Sequence, residues 1–224
     1  MSSTWVPHGH ILDKDVEEPY QNAKVSIDAF GKGHHSIILI EDLCRLTWFP
    51  LPDFKSNSQI PPSYEVTKGP NKAKVCDLVT RSLDKTHKWY LFSFHEGKEK
   101  QAQVDNSAES GSTININIKD LENRAQDYCK EFFDVHRDVD LVYVNTFSGV
   151  SVRFWSVRRG DETLRGFWGG DEKDHFEHYR DVGLDAHFHD IERALLRMRP
   201  VSIPPVGQVF SQIGTVSLGG LSVT

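Results

Sequence analysis

Cysteine is scarce in this 224-residue chain. Cys44, Cys76 and Cys129 are an odd number and show no Cys-x-x-Cys spacing. That argues for the reduced, buried thiols of an intracellular protein rather than a disulfide framework or thiolate zinc cluster. Long apolar runs are also missing: no stretch approaches the roughly 20 residues of a membrane-spanning helix. The opening Met-Ser-Ser-Thr-Trp-Val-Pro lacks a basic segment followed by an apolar one, so no signal peptide is expected and the expected location is cytoplasmic or nuclear. There is no basic excess. With 26 Lys and Arg against 32 Asp and Glu, the net charge of −6 argues against coating nucleic acid by net attraction and leaves room for a local basic groove. No internal repeat is found.

Aromatic residues are plentiful, with Trp5, Trp48, Trp89, Trp155 and Trp168 spread along the chain, so general disorder is not expected. At this length one domain with a real core is expected, over residues 1–200. Residues 201–224, rich in Gly, Ser and Val, form a separate C-terminal tail or extended arm.

The pattern predicts an N-terminal arm or a short frayed helix over 1–22, a half-buried strand over 24–30, a turn at Gly31-Lys32-Gly33 and a central strand over 36–40. Residues 49–70, with five prolines, read as an irregular connection. Strands are predicted over 75–80 and 88–95, a polar loop over 103–113 and a short strand at Ile114-Asn-Ile-Asn-Ile. A helix over 119–138 is predicted from Leu121, Ala125, Tyr128 and Phe132. A meander over 141–168 and a helix over 185–199, stopped by Pro200, follow. The fold class is therefore α/β (mixed α+β).

Asp77 lies in the first strand of the 73–98 hairpin. Glu96-Gly97-Lys98 ends the second. Glu96 and Lys98 are two apart and share a face, and paired strands bring Asp77 towards Glu96. Two carboxylates suit a hard divalent cation such as Mg²⁺ or Mn²⁺, and a lysine beside it can orient a water. Without that proximity the same residues are solvated surface charges.

An Asp, a strand-length gap and Glu-x-Lys resemble the core of the PD-(D/E)xK nuclease superfamily. The helix with Gln126 and Tyr128, the strand-turn-strand from Leu141 to Val157 with its Arg-x-Trp, and Tyr179-Arg-Asp-Val-Gly before a final helix are similar to fungal families of this type, some fused to kinase-like domains. The resemblance covers about residues 70–200. It implies a restriction-endonuclease-like sheet, Asp77 and Glu96 as metal ligands, Lys98 orienting the attacking water, and hydrolysis of phosphodiester bonds in nucleic acid. The chain departs from the pattern at Gly97, in the intervening loop, and at Arg124, which stands where some relatives carry the Gln of a Gln-x-x-x-Tyr motif. A competing alignment uses Asp28 and Glu41, with Leu43 in place of the lysine, and makes the chain a non-catalytic member.

Arg153, Arg158, Arg159 and Arg165, interleaved with Phe154, Trp155 and Trp168, read either as nucleic-acid contacts or as one solvated sheet face. His175, His178, His187 and His189 have zinc-like spacings, but two residues apart on a helix diverge around its axis. In the tail, Gly207–Gly219 alternates apolar and small polar residues, and its Gln-Ile-Gly resembles RIP-homotypic-interaction amyloid motifs. The alternatives to a nuclease are thus an inactive nuclease-like interaction module, or an assembly protein forming a homo-oligomer through residues 201–224.

Overall fold

The computed structural model describes residues 5–25, 34–60, 76–83, 89–98 and 118–199. Asp28, the Gly31–Gly33 turn, the 103–113 loop, the 114–117 segment and the tail lie outside the described residues. The fold is mixed α+β. Helix α1 (Lys14–Val25) and helix α2 (His34–Asp42) come first, and α2 continues into a π-helical turn, Leu43–Trp48. Three strands follow: β1 (Phe54–Ile60), β2 (Cys76–Leu83) and β3 (Trp89–Lys98). Helix α3 (Ile118–Val135) leads to β4 (Leu141–Ser148), β5 (Ser151–Arg158), short β6 (Arg165–Gly166) and β7 (Arg180–Asp181), and α4 (Phe188–Met198) closes the set.

The seven strands form one sheet in the order β1-β2-β3-β4-β5-β6, with β7 also on β5. Among the described residues, β3 and β4 pair in parallel and the other pairs are antiparallel. A parallel pair needs a crossover, and α3 supplies it. Side chains alternate between two covered faces. On one, Leu78, Phe147, Val152 and Phe154 pack with α1, α2, the π turn and α4 around Trp48. On the other, Val79, Phe94, Val144, Trp155 and Val157 pack against Ala125, Cys129 and Phe132 of α3.

Local chemistry fixes the ends of these elements. α3 stops where Arg159 reaches from the β5–β6 turn to the carbonyls of Phe133 (2.6 Å), His136 and Val139 (2.8 Å). A cation at a helix C-terminus satisfies orphan carbonyls and opposes the negative end of the dipole. The N-terminal segment is fastened by His8: Nδ1 donates to the Gly183 carbonyl at 2.8 Å and Nε2 to Glu17 at 2.9 Å. Both partners only accept, so both ring nitrogens carry protons. Gly97 pairs with Phe147 across the parallel ladder, and any Cβ on it would fall inside the Phe147 ring. The glycine in β3 is thus required by packing.

Three expectations are corrected. Residues 36–40 are helix α2, not a central strand; Leu39 and Ile40 are buried and Ile37 and Ile38 partly so, in a helix whose hydrogen bonds are internal. Lys24 and Val25 end α1, not begin a strand, and Val16, Tyr20 and Ala23 anchor that helix in the core, so 14–22 is not a frayed arm. Within 49–70, residues 54–60 form β1, which among the described residues is an edge strand paired with β2. No helix among the described residues is long and apolar enough to cross a membrane.

Candidate functional site

β2 and β3 pair with Leu78 opposite His95 and Val79 opposite Phe94. One further step sets Asp77 opposite Glu96, so both side chains leave the sheet on the face covered by α3. Asp77 Oδ2 accepts from the Gly97 amide at 2.9 Å. Glu96 is 1% exposed. Its Oε1 accepts from the guanidinium of Arg124 on α3, while its Oε2 has no hydrogen-bond partner among the described residues. Burial, together with the neighbouring Asp77 carboxylate, pushes the Glu96 carboxyl up to about 8, against the pull of Arg124 and the Asp77 amide. Two carboxylates in one buried place disfavour each other's ionisation. A cation between them would relieve that cost. Lys98 ends β3 opposite Ser148, and its side chain lies outside the described residues.

The site continues across the sheet. Glu96 lies beside Thr146 on β4, and Thr146 lies opposite Arg153 on β5. With Asp77 this makes one polar row over four adjacent strands, all on the α3 face. Behind it runs a directed hydrogen-bond chain. Trp155 Nε1 donates to Thr146 Oγ1 at 2.9 Å, Thr146 lies 2.8 Å from the Tyr179 hydroxyl, and that hydroxyl donates to Glu122 at 3.1 Å. Glu122 and Arg153 are both fully buried and form an ion pair at 3.4 Å. Glu122 also accepts from the Asp174 amide at 2.8 Å, and Arg153 donates to the Gly170 carbonyl at 3.1 Å and stacks 3.8 Å from the Trp155 ring. Such extra bonds offset the cost of burying the pair, although Arg153 Nε has no hydrogen-bond partner among the described residues. These bonds tie α3 and the 170–179 segment to the sheet.

The opposite face holds a different cluster. His95 is buried between Thr80 Oγ1 (3.0 Å from Nε2) and Asn145 Nδ2 (3.3 Å from Nδ1), with Cys44 of the π turn 3.9 Å away. Burial lowers His95 to about 3, so it is neutral, and burial pushes the Cys44 thiol well up. A protonated thiol without solvent access is not a nucleophile.

Of the predicted arginines, Arg153 is fully buried in the Glu122 pair and is therefore not a surface contact, whereas Arg159 is exposed with its guanidinium bonded to the carbonyls at the end of α3. Arg165 binds Asp161 through two bonds of 3.0 Å, and Arg158 holds the exposed end of β5. His175 pairs with Glu172 and Glu177, and His187 Nδ1 accepts from the Asp181 amide at 2.9 Å. Among the described residues no group of three or more His, Cys, Asp or Glu is placed to hold a metal ion. Glu41 lies on α2, not on a strand. Arg124, Glu122 and Tyr179 were not singled out by spacing as site residues; the one signal was Arg124 standing four before Tyr128. The chain matches no protein-family model, no curated protein and no solved structure.

Proposed function

We propose that this chain is a metal-dependent nuclease-like domain of PD-(D/E)xK type that hydrolyses phosphodiester bonds of nucleic acid inside the cell. The observation that carries the reading is that Asp77 faces Glu96 on adjacent strands, one carboxylate oxygen of Glu96 being buried without a partner among the described residues. Two protein carboxylates match how Mg²⁺ or Mn²⁺ is held, with waters and substrate phosphates completing the shell. A mixed sheet flanked by helices, with Asp77 and Glu96 on adjacent strands, is the arrangement the resemblance implies. When bound, such a cation supplies Lewis-acid polarisation of the phosphate and a more acidic water. Asp77 and Glu96 would hold it, and Lys98 would orient the attacking water. The test is cleavage of single- and double-stranded DNA and of RNA in Mg²⁺ or Mn²⁺. Wild type should cleave at least one substrate, with a loss of about 100-fold or more in Asp77→Asn and Lys98→Ala, the scale of an electrostatic catalytic group. Equal rates in all three proteins would overturn the reading.

The Arg124–Glu96 ion pair favours a second reading. Here Arg124 stands in for the cation and the domain is a catalytically inactive nuclease-like interaction module. Failure to bind Mn²⁺ at millimolar concentration, with the fold intact, would decide for it.

A further inference from the structure

Arg124 is the one site residue that must change partner if a cation arrives. Its guanidinium pairs with Glu96 Oε1, yet its side chain is 45% exposed while that of Glu96 is 1% exposed. The buried carboxylate is therefore the fixed member and the arginine the movable one. A divalent ion taking the same carboxylate places like charge beside the guanidinium, at separations where unit charges interact by kilocalories even at a protein-like dielectric. The backbone of α3 cannot retreat, because Arg159 holds its C-terminal end and the Glu122–Arg153 pair holds its first half to the sheet. The side chain then turns to the solvent-facing side of the same site, where the proposed substrate brings a phosphate. Guanidinium is the cation best matched to phosphate, through paired N–H donors.

We infer that Arg124 is an exchangeable partner: it donates to Glu96 in the metal-free protein and transfers to a phosphodiester oxygen of the nucleic acid once a divalent cation has displaced it. This rests on the metal-site reading above and adds its substrate-binding residue and the order of events. It gives cation and nucleic acid positive coupling that runs through one side chain, and such coupling is reciprocal.

The experiment uses the full chain and two binding measurements, neither requiring turnover. Mn²⁺ is titrated calorimetrically into wild type, Arg124→Gln, Arg124→Lys and Asp77→Asn. A short oligodeoxythymidine is then titrated in EDTA and in Ca²⁺. Loss of the competing charge should tighten Mn²⁺ binding about tenfold in Arg124→Gln, a change of about 1.4 kcal/mol. Arg124→Lys keeps the charge and should stay within about threefold of wild type. The oligonucleotide should bind Arg124→Gln and wild type equally in EDTA, but Arg124→Gln about tenfold more weakly in Ca²⁺, with a shallower salt dependence. Unchanged or weaker Mn²⁺ binding by Arg124→Gln overturns the inference, as does an oligonucleotide deficit equal in EDTA and Ca²⁺. Wild-type Mn²⁺ binding retained in Asp77→Asn instead overturns the metal-site reading itself, so the two failures are distinguishable. Thermal melts of Arg124→Gln and Arg124→Lys confirm that both are folded; should Arg124→Gln melt early, the Lys variant carries the test, since its weaker phosphate geometry should cost oligonucleotide affinity only in Ca²⁺.

Discussion

Replacing Glu96 by Gln removes an ionisable group from a buried place while keeping its volume and an oxygen that can accept from Arg124. The native carboxyl is raised to about 8 from an ordinary value of 4.5. Below 4.5 the folded and unfolded chains both hold the proton, and Glu96 costs nothing. Between the two values the unfolded chain has released a proton that the folded chain keeps, so wild-type stability falls by about 1.4 kcal/mol per pH unit from this group. Above 8 both states are ionised and the penalty stays constant. Gln does not titrate and escapes the penalty. Glu96→Gln should therefore gain stability, by about 2 kcal/mol at pH 6 and about 4 kcal/mol at pH 8, and by nearly nothing at pH 4.5. Urea unfolding of both proteins across pH 4.5–8.5 measures this, provided the denaturant dependence is the same in each. A stability difference that does not vary with pH, or a Gln variant less stable at pH 8, would refute the reasoning. The same variant should lose divalent-ion binding, which makes Glu96 a residue kept at the expense of stability.

Two further outcomes follow from the packing. Gly97→Ala forces a methyl group into the Phe147 ring and should destabilise by about 1–3 kcal/mol, the usual cost of overpacking; adding Phe147→Leu should recover part of that loss in the same denaturation assay. His8 has burial working to lower its pKa, outweighed by the Gly183 carbonyl and Glu17, so its folded value is raised. A raised histidine contributes stability that is fully present below its unfolded value of 6.5 and lost as pH rises through the folded value. His8→Gln should thus lower the melting temperature more at pH 5.5 than at pH 8.5, and the reverse ordering would contradict the doubly donating ring.

The sequence disclosed elements wherever one periodicity dominated. Leu121, Ala125, Tyr128 and Phe132 recur at helical spacing because one face of α3 lies on the sheet. β4 and β5 were legible because each is flanked by tight turns at Ser148-Gly149 and Arg159-Gly160. Helix α2 was not, since Ile37-Ile38-Leu39-Ile40 is apolar on every side and a short buried run has no period to read. β1 was hidden for the opposite reason: Phe54-Lys-Ser-Asn-Ser-Gln-Ile is mostly polar, and an edge strand bonded to one neighbour need not alternate. Of the site, Asp77 and Glu96 were legible from spacing because strands convert spacing into facing. Arg124 and Glu122 were not, since a helical residue reaches the sheet according to how the helix rolls, which depends on contacts such as Arg153 that no local pattern encodes. Arg153 itself reads as surface charge until Glu122 is seen opposite it.

The contact between Gly97 and Phe147 acts as a key in a keyway. β3 contains a single glycine, so its ladder with β4 has one alignment in which the Phe147 ring finds no side chain in its path. Sliding β3 by one residue would strand that ring against a side chain. It would also exchange the two faces, sending Glu96 towards Cys44 and His95 under α3. The facing of Glu96 towards α3 is therefore indexed by a methyl group that is not there, on the opposite face of the sheet.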